Sequence, residues 1–339
     1  MEKLLTKNGK IITGDNGGLM VQSFPSTLAF LPDTQTYVMS KPAEMVSQID
    51  WLIDNKSILN LKFVGHEGDL VEHWDTNPLV PTGSTFTPTG YTEWSFMKWQ
   101  MGRLTDANIT YSTLPGNHDY KNGTRDSTMY NSYFPLSNFT GMSTYRGSYD
   151  TNSDNTYHIV NIDGHDLLIL SLEFGPRTVI LNWANNILQT YSTTPAIIVT
   201  HAYLSKDNQL FSHSTSRAPS NGYGLGSGPP TVNDATASSG TTSMWNTLVY
   251  PNNNVRIVIC GHDGNSSFGA GLLISGHTDG TLIYQIFANY QYFNVGIAGY
   301  IVLLSFDART VHFRSYSPWI PAYKTDEYSQ ADWPWNWVV

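Results

Sequence analysis

Short apolar runs, each closed by a polar turn, recur along the chain. Thr27 to Leu31 ends at Pro32-Asp33-Thr34-Gln35, Leu61 to Val64 at Glu67-Gly68-Asp69, and Ile109 to Leu114 at Pro115-Gly116-Asn117-His118-Asp119. Ala196 to Thr200 ends at His201, and Val255 to Cys260 at Gly261-His262-Asp263-Gly264. Runs this short, bounded by Gly, Pro, Asn and Asp, read as buried strands. Between them, Pro42 to Leu59 carries Met45, Ile49, Leu52 and Ile53 at three- and four-residue steps, and Glu93 to Leu104 carries Trp94, Met97, Lys98 and Met101 at similar spacing. Both read as helices. Strand, acid, helix, strand, acid is the order of a parallel βαβ unit, which brings Asp33 and Asp69 to one carboxyl edge of a sheet.

Tyr157 to Ile162 and Leu167 to Leu172 flank Asp163-Gly164-His165, the signature of a hairpin with His165 in its turn. Val179 to Leu188 and Met244 to Tyr250 read as helices, while Leu282 to Ala288, Tyr300 to Phe306 and Val311 to Ser315 alternate like an antiparallel sheet. Residues 120–156 are polar and aromatic with few aliphatics, and read as an irregular surface excursion. Three divisions follow: an appendage at 1–26, with a hairpin about Asn8-Gly9; a main domain at 27–317; and a tail at 318–339 whose Trp319, Trp333, Trp335 and Trp337 are expected to pack on the body. Within the main domain, the Gly- and Ser-rich stretch 205–243 reads as a mobile loop over the site, with His213 solvated.

A chain of 339 residues permits two domains, but candidate ligands spread over most of its length must converge, which favours one. Net charge is -9 and only 13% of residues are charged, so no nucleic-acid-binding surface is expected. The uncharged Ser, Thr, Asn and Gly stretches suggest an extracellular or virion surface instead. Cys260, the single cysteine, excludes an intrachain disulfide and sits in an apolar run, as a buried small hydrophobe does. Lys3, Lys7 and Lys10 precede no apolar core of signal-peptide length, and no run approaches the ~18 apolar residues of a membrane span, so a soluble chain is expected.

The turns supply the chemistry. A mixed Asp, Asn and His set describes a transition-metal hydrolase site better than a zinc finger, and a pair of ions sharing one carboxylate could hold phosphoryl oxygens. The chain has neither a Gly-rich Lys-Ser/Thr phosphate loop nor a Gly-x-Ser-x-Gly nucleophile turn, which leaves metal-activated water as the nucleophile.

Gly68-Asp69, Gly116-Asn117-His118-Asp119, the strand-end His201 and Gly261-His262 resemble successive signature blocks of the calcineurin-like metallophosphoesterases, with Asp33 in the place of the first aspartate. The likeness runs from Thr27 to Pro318, and Leu172-Glu173-Phe174-Gly175-Pro176-Arg177 and Ala288-Asn289-Tyr290-Gln291 look like a secreted bacterial or phage-like branch. The resemblance implies an α/β fold, a four-layer α/β/β/α sandwich with two central mixed sheets. It implies that Asp69 bridges two metals, that Asn117, His201 and His262 complete one, and that Asp33 and Gln35 belong to the other. His118 would stand unligated beside the phosphate, with Asp119 holding its imidazole by a hydrogen bond. Two departures fall on the metal served by Asp33: the family's Asp-x-His is here Asp33-Thr34-Gln35, and its Gly-His-x-His ends here in Gly264.

The expectation is therefore one firmly bound divalent ion (Mn, Fe or Zn) and a second that is weaker or absent, with Mg or Ca as candidates there and His277 as a candidate substitute ligand. His66 and His73 read as packed neighbours of the Asp69 turn; Glu173 and Arg177 either line the site or pair with each other. The activity implied is a metal-dependent phosphoesterase acting on a phosphomonoester or phosphodiester, with a cell-wall glycopolymer as a candidate partner. The competing reading is an extracellular or virion surface-binding protein of the same fold with weakened or lost catalysis.

Overall fold

Strand β1 (Ser26–Leu31) is buried along its whole length, because it lies inside a sheet that is covered on both faces. The computed structural model to which it belongs describes residues 25–81, 89–121, 124–211, 244–264, 269–292 and 299–339. After β1 come helices α1 (Gln35–Ser40) and α2 (Pro42–Asn55). Pro42 opens α2 where its fixed φ and missing N–H cost nothing, and Met45, Ile49 and Leu52 make its buried stripe. Strand β2 (Leu61–His66) pairs parallel to β1. Helix α3 (Glu93–Asp106) then starts from a capping box of Thr92 and Ser95 and leads to β3 (Tyr111–Ser112), parallel to β2. This is the βαβ unit expected from the alternating runs.

The second sheet is built from β4 (Tyr145–Ser148), β5 (Thr156–Ile162), β6 (His165–Leu172), β7 (Ala196–Thr200), β8 (Val255–Cys260), β9 (Ala270–Gly276) and β10 (Leu282–Ala288), in the order β4-β5-β6-β7-β8-β10-β9. Strands β6, β7, β8 and β10 run parallel, and the others are antiparallel. Helix α6 (Thr178–Thr190) crosses from β6 to β7, and a π-helical turn at Trp245–Val249 precedes β8. The period-2 alternation is visible in the packing. Leu167, Ile169, Ile197, Val199, Ile257 and Ile259 face the first sheet, while Leu168, Leu170, Ile198, Val258 and Cys260 face α6 and the π turn. Each of these side chains contributes about 1.5–3 kcal/mol on burial. The first sheet is completed by β11 (Ile301–Phe306), β12 (Thr310–Ser317), β13 (Ala322–Lys324) and β14 (Gln330–Pro334), with the order β13-β12-β11-β1-β2-β3 and β14 also pairing with β12. Two mixed sheets between helices make the α/β/β/α sandwich.

Several elements differ from expectation. Leu282 to Ala288 does not join the next two runs: β10 lies in the second sheet, parallel to β8, while β11 and β12 pair in the first. Alternation reports which faces of a strand differ, not which neighbour it takes. Residues 120–156 are no surface excursion, because they contain α4 (Thr128–Tyr133), α5 (Ser137–Thr140) and β4, with Tyr120, Tyr130, Phe134 and Phe139 wholly buried. Aromatic rings replace the missing aliphatics as core. His165 opens β6 rather than sitting in the turn, and its ring stacks on Trp337 at 4.9 Å.

The Trp-rich tail packs on the body and also supplies two strands; Trp333 stacks on Tyr284 at 4.3 Å. Cys260 is buried. Among the described residues, no helix is long and apolar enough to cross a membrane. The Asn8-Gly9 hairpin, His213 and residues 212–243 of the expected loop lie outside the described residues.

Candidate metal centre

Parallel strands deliver their C-terminal ends to one edge, and the turns after β1, β2, β3, β7 and β8 meet there. The turn after β2 is the tightest. Gly68 and Asp69 both have left-handed backbones, with φ of 95° and 51°. The Gly116 turn presses on them so closely that a Cβ at Gly116 would stand 2.2 Å from Asp69 Oδ1, a place only glycine can occupy. His262 is also left-handed, at φ 73°, so two of the candidate ligands sit in a backbone region that ordinary residues avoid.

Asp69, His201 and His262 are buried, and one ligand atom from each lies within 4.8 Å of the others. Asp69 Oδ1 accepts the His118 main-chain N–H at 2.9 Å, and Oδ2 stands 3.1 Å from His201 Nε2. His201 Nδ1 is 2.9 Å from the Glu67 carbonyl oxygen, an acceptor only, so Nδ1 carries the proton. In the neutral ring the Nε2 lone pair then faces Asp69 Oδ2 and, at 3.1 Å, Asn117 Oδ1. A cation, whether a proton on Nε2 or a metal ion, is what lets these atoms stand so close. Phe174 and Phe211 wall the centre, with ring centroids 5.1 and 5.8 Å from that of His262. Burial opposes ionisation of Asp69, yet the imidazoles of His201 and His118 and their hydrogen bonds bring its carboxyl down to about 2.

The turn after β3 separates the roles of its residues. The His118 ring lies outside the ligand group and is partly exposed, with Nδ1 3.2 Å from the Glu72 carbonyl and 3.6 Å from Glu72 Oε2. Burial would lower its pKa, but the charges of Asp69 and Glu72 outweigh burial and raise it. The expected Asp119 to His118 hydrogen bond is not made. Asp119 instead accepts the main-chain N–H groups of Leu70, Val71 and Gly116 at 2.8–3.2 Å, tying the Asp69 turn to its own. A buried carboxyl takes the donors that burial leaves without water, and here those are backbone amides. Glu72, which spacing did not single out, is what holds His118.

Asp33 is buried beside the ligand group, with Oδ1 3.7 Å from His201 Nδ1. Burial first, then the charges of Asp69 and Glu67, push its carboxyl well above the usual range. Its oxygens accept the His262 main-chain N–H at 3.1 and 3.2 Å, Asn289 Nδ2 at 2.7 Å and Gln291 Nε2 at 3.4 Å. Gln35 is buried and its Oε1 makes no hydrogen bond among the described residues. His277 is no substitute ligand: its nitrogens bond the carbonyls of Tyr250 and Val255, and Val255 opens β8 at the opposite end from His262.

His66 accepts the Gly68 N–H and reaches Thr34 Oγ1, bracing two turns at once, and His73 pairs with Glu93. Glu173 is committed to ion pairs with Arg177 and Arg125. Asn289 follows β10 just as Asp33, His201 and His262 follow their strands, and it lies in the Ala288-Asn289-Tyr290-Gln291 block that the sequence singles out.

The sequence profile of the calcineurin-like phosphoesterase family matches residues 13–265. The chain belongs to that family. It is also similar to the uncharacterized protein YvnB of Bacillus subtilis, at 28% identity over 314 residues, covering 90% of this chain and 21% of YvnB; the chain thus spans about a fifth of that relative's length. Its fold is similar to that of a dimetal phosphatase from Danio rerio, with a TM-score of 0.50 and 9% identity over 87% of this chain and 97% of the other. GAP50, the anchor in the inner membrane complex of Plasmodium, matches at a TM-score of 0.48 and 11% identity over 91% of this chain and 89% of that one.

For a member of this phosphoesterase family, the donors present fit one transition-metal ion: a carboxylate, two imidazoles and an amide oxygen. The family's second place retains only Asp33, with a neutral amide at Gln35 and no side chain at Gly264. Gln35 Oε1, buried and without a hydrogen bond among the described residues, is the same kind of donor as Asn117 Oδ1.

Proposed function

We propose that the protein is a metal-dependent phosphoesterase that hydrolyses a phosphomonoester or phosphodiester. The observation that carries this reading is the convergence of Asp69 Oδ2, Asn117 Oδ1 and His201 Nε2, beside His262, in one buried cluster. A divalent ion bound there supplies a Lewis acid for a phosphoryl oxygen and an acidified water. The protein's own groups do the rest. Asp69 and His262 are held on strained turns that fix their directions, and the walls of Phe174 and Phe211 exclude water from one side. His118, free of the ligand group and with its pKa raised, is the proton donor to the departing oxygen.

A low fraction of charged residues and long polar stretches support an extracellular or virion setting, and the blocks at 172–177 and 288–291 a bacterial or phage-like branch; a cell-wall glycopolymer such as teichoic acid is the substrate class proposed for that setting. Asp69→Ala or His262→Ala, assayed on bis-p-nitrophenyl phosphate with added Mn²⁺, tests the activity. Loss of turnover together with bound metal is expected, and turnover equal to that of the unmodified protein would reject the reading.

A further inference from the structure

We propose that Asp33, Gln35 and Asn289 form an all-oxygen place for a hard divalent cation such as Ca²⁺, beside the group that holds the transition metal. The inference rests on the phosphoesterase reading only for that first ion.

Buried oxygens without a hydrogen bond carry the argument. Gln35 Oε1, Asn289 Oδ1 and both carboxyl oxygens of Glu67 are in this condition among the described residues, and all three side chains belong to residues 3% exposed or less. Buried polar atoms nearly always find a partner, so several unpartnered acceptors at one sheet edge call for a donor or a cation. The Asn289 amide cannot turn its oxygen to the Asp33 carboxylate, which only accepts; Nδ2 donates to Asp33 Oδ2 at 2.7 Å, and Oδ1 is left uncommitted. Gln291 ties the two turns together, because its Nε2 reaches Asp33 Oδ2 at 3.4 Å while its Oε1 accepts the main-chain N–H of Thr36, next to Gln35, at 2.8 Å.

Charge points the same way. The charges of Asp69 and Glu67 act on Asp33, and among the described residues no lysine or arginine pairs with any of the three. Buried carboxylates are costly unless a cation neutralises them. Asp33 Oδ1 shares the His262 N–H with Oδ2 and keeps a direction open toward His201, whose Nδ1 is 3.7 Å away. That nitrogen gives its proton to the Glu67 carbonyl and offers no lone pair. Both nitrogens of His66 are taken as well, by the Gly68 N–H and by Thr34 Oγ1. The donors left at this place are therefore carboxyl and amide oxygens. Oxygen-only sets suit Mg²⁺ and Ca²⁺, and Ca²⁺ in particular takes Asn and Gln carbonyls.

The test uses the full chain, stripped with EDTA, loaded with one equivalent of Zn²⁺ and titrated with Ca²⁺ by calorimetry, with metal content read by elemental analysis. One equivalent of Ca²⁺ is expected to bind while the Zn²⁺ stays. Gln35→Met, which removes the oxygen at similar size, should weaken Ca²⁺ binding by about tenfold or more, and Gln35→Glu, which adds a charge, should tighten it by a similar factor. Both variants should keep their Zn²⁺. Absence of Ca²⁺ binding, displacement of Zn²⁺ by Ca²⁺, or an affinity unchanged by either substitution would overturn the inference. The two variants act in opposite directions, so if circular dichroism shows one to be misfolded the other decides. Because the readout is binding, a protein that holds both ions but does not cleave bis-p-nitrophenyl phosphate would refute the phosphoesterase reading alone, and one that cleaves it without taking up Ca²⁺ would refute this inference alone.

Discussion

The main-chain N–H of His118 donates to Asp69 Oδ1 at 2.9 Å, so a residue whose imidazole lies outside the metal group is tied through its backbone to the carboxylate of that group. The contact uses no side-chain atom of His118, and replacing the imidazole leaves the Asp69 geometry in place. His118→Ala is therefore expected to lower turnover of bis-p-nitrophenyl phosphate by about 10²–10⁴-fold, as loss of a general acid does, while metal content stays that of the parent. Elemental analysis beside the kinetics checks both halves. A variant that lost its metal would show the ring to be a ligand.

Asp119, by contrast, is expected to act on stability. Its carboxyl accepts amides from Leu70, Val71 and Gly116, and an alanine there strands all of them in the interior. Unmet buried donors cost about 1–3 kcal/mol each before relaxation. Asp119→Ala should lower the unfolding free energy in urea by about 3 kcal/mol or more, and Asp119→Asn, which keeps one acceptor oxygen, by less. Equal losses would contradict the role assigned to the carboxyl.

Gly116→Ala probes the contact between the two turns. The added methyl would sit 2.2 Å from Asp69 Oδ1 and 2.3 Å from its backbone nitrogen, and the backbone cannot yield as a flexible side chain does. Displacement of Asp69 should weaken metal binding on the order of 10–100-fold, the range seen when groups that orient a ligand are lost. Titration with Mn²⁺ reads the change, and an unaltered affinity would mean that the turns can part without moving the ligand.

A pH effect is expected far from the centre, at His158. This ring is buried between the sheets beside Phe63 and Tyr145, with Nδ1 against Thr144 Oγ1. Burial, helped by Arg146, pushes its pKa down to about 3. The folded state thus prefers the neutral ring. The unfolded chain, with a pKa near 6.5, takes up the proton first, so stability is full above about pH 6.5 and is lost as pH falls from there toward the folded value. His158 alone contributes a slope of about 1.4 kcal/mol per pH unit in that window. His158→Phe should flatten the acid limb of a urea stability curve by that amount per unit, and an unchanged limb would mean that His158 is not the neutral group in the core.

Trp333 tests whether the tail is part of the folded unit. It is 5% exposed and lies between Tyr284 of the second sheet and Phe313 of the first, so it joins the sheets at their far end. Trp333→Ala should cost about 3–5 kcal/mol, the usual range for emptying a large aromatic site. Metal content should not change. A loss under about 1 kcal/mol would show the tail to be a mere covering.

By itself, the sequence determined which residues stand at strand ends. Apolar runs closed by Asp33, Asp69, Asn117, His201 and His262 are read locally, and parallel order then sends all of them to one edge whatever the packing. The helices at 42–55 and 93–106 were legible for the same reason, since a 3.6-residue period needs no distant partner. Only the tertiary structure decided what each polar group faces. Asp119 turned to three amides rather than to the neighbouring imidazole, and Asp33 took its shortest hydrogen bond from Asn289, 256 positions along the chain. The same limit hid the sheet to which Leu282 to Ala288 belongs and the burial of the aromatic residues at 130–139. Periodicity is a property of neighbours, whereas a buried hydrogen bond or a strand pairing joins segments that meet only after long loops have closed, and nothing in the spacing of one segment reports the donors another will bring.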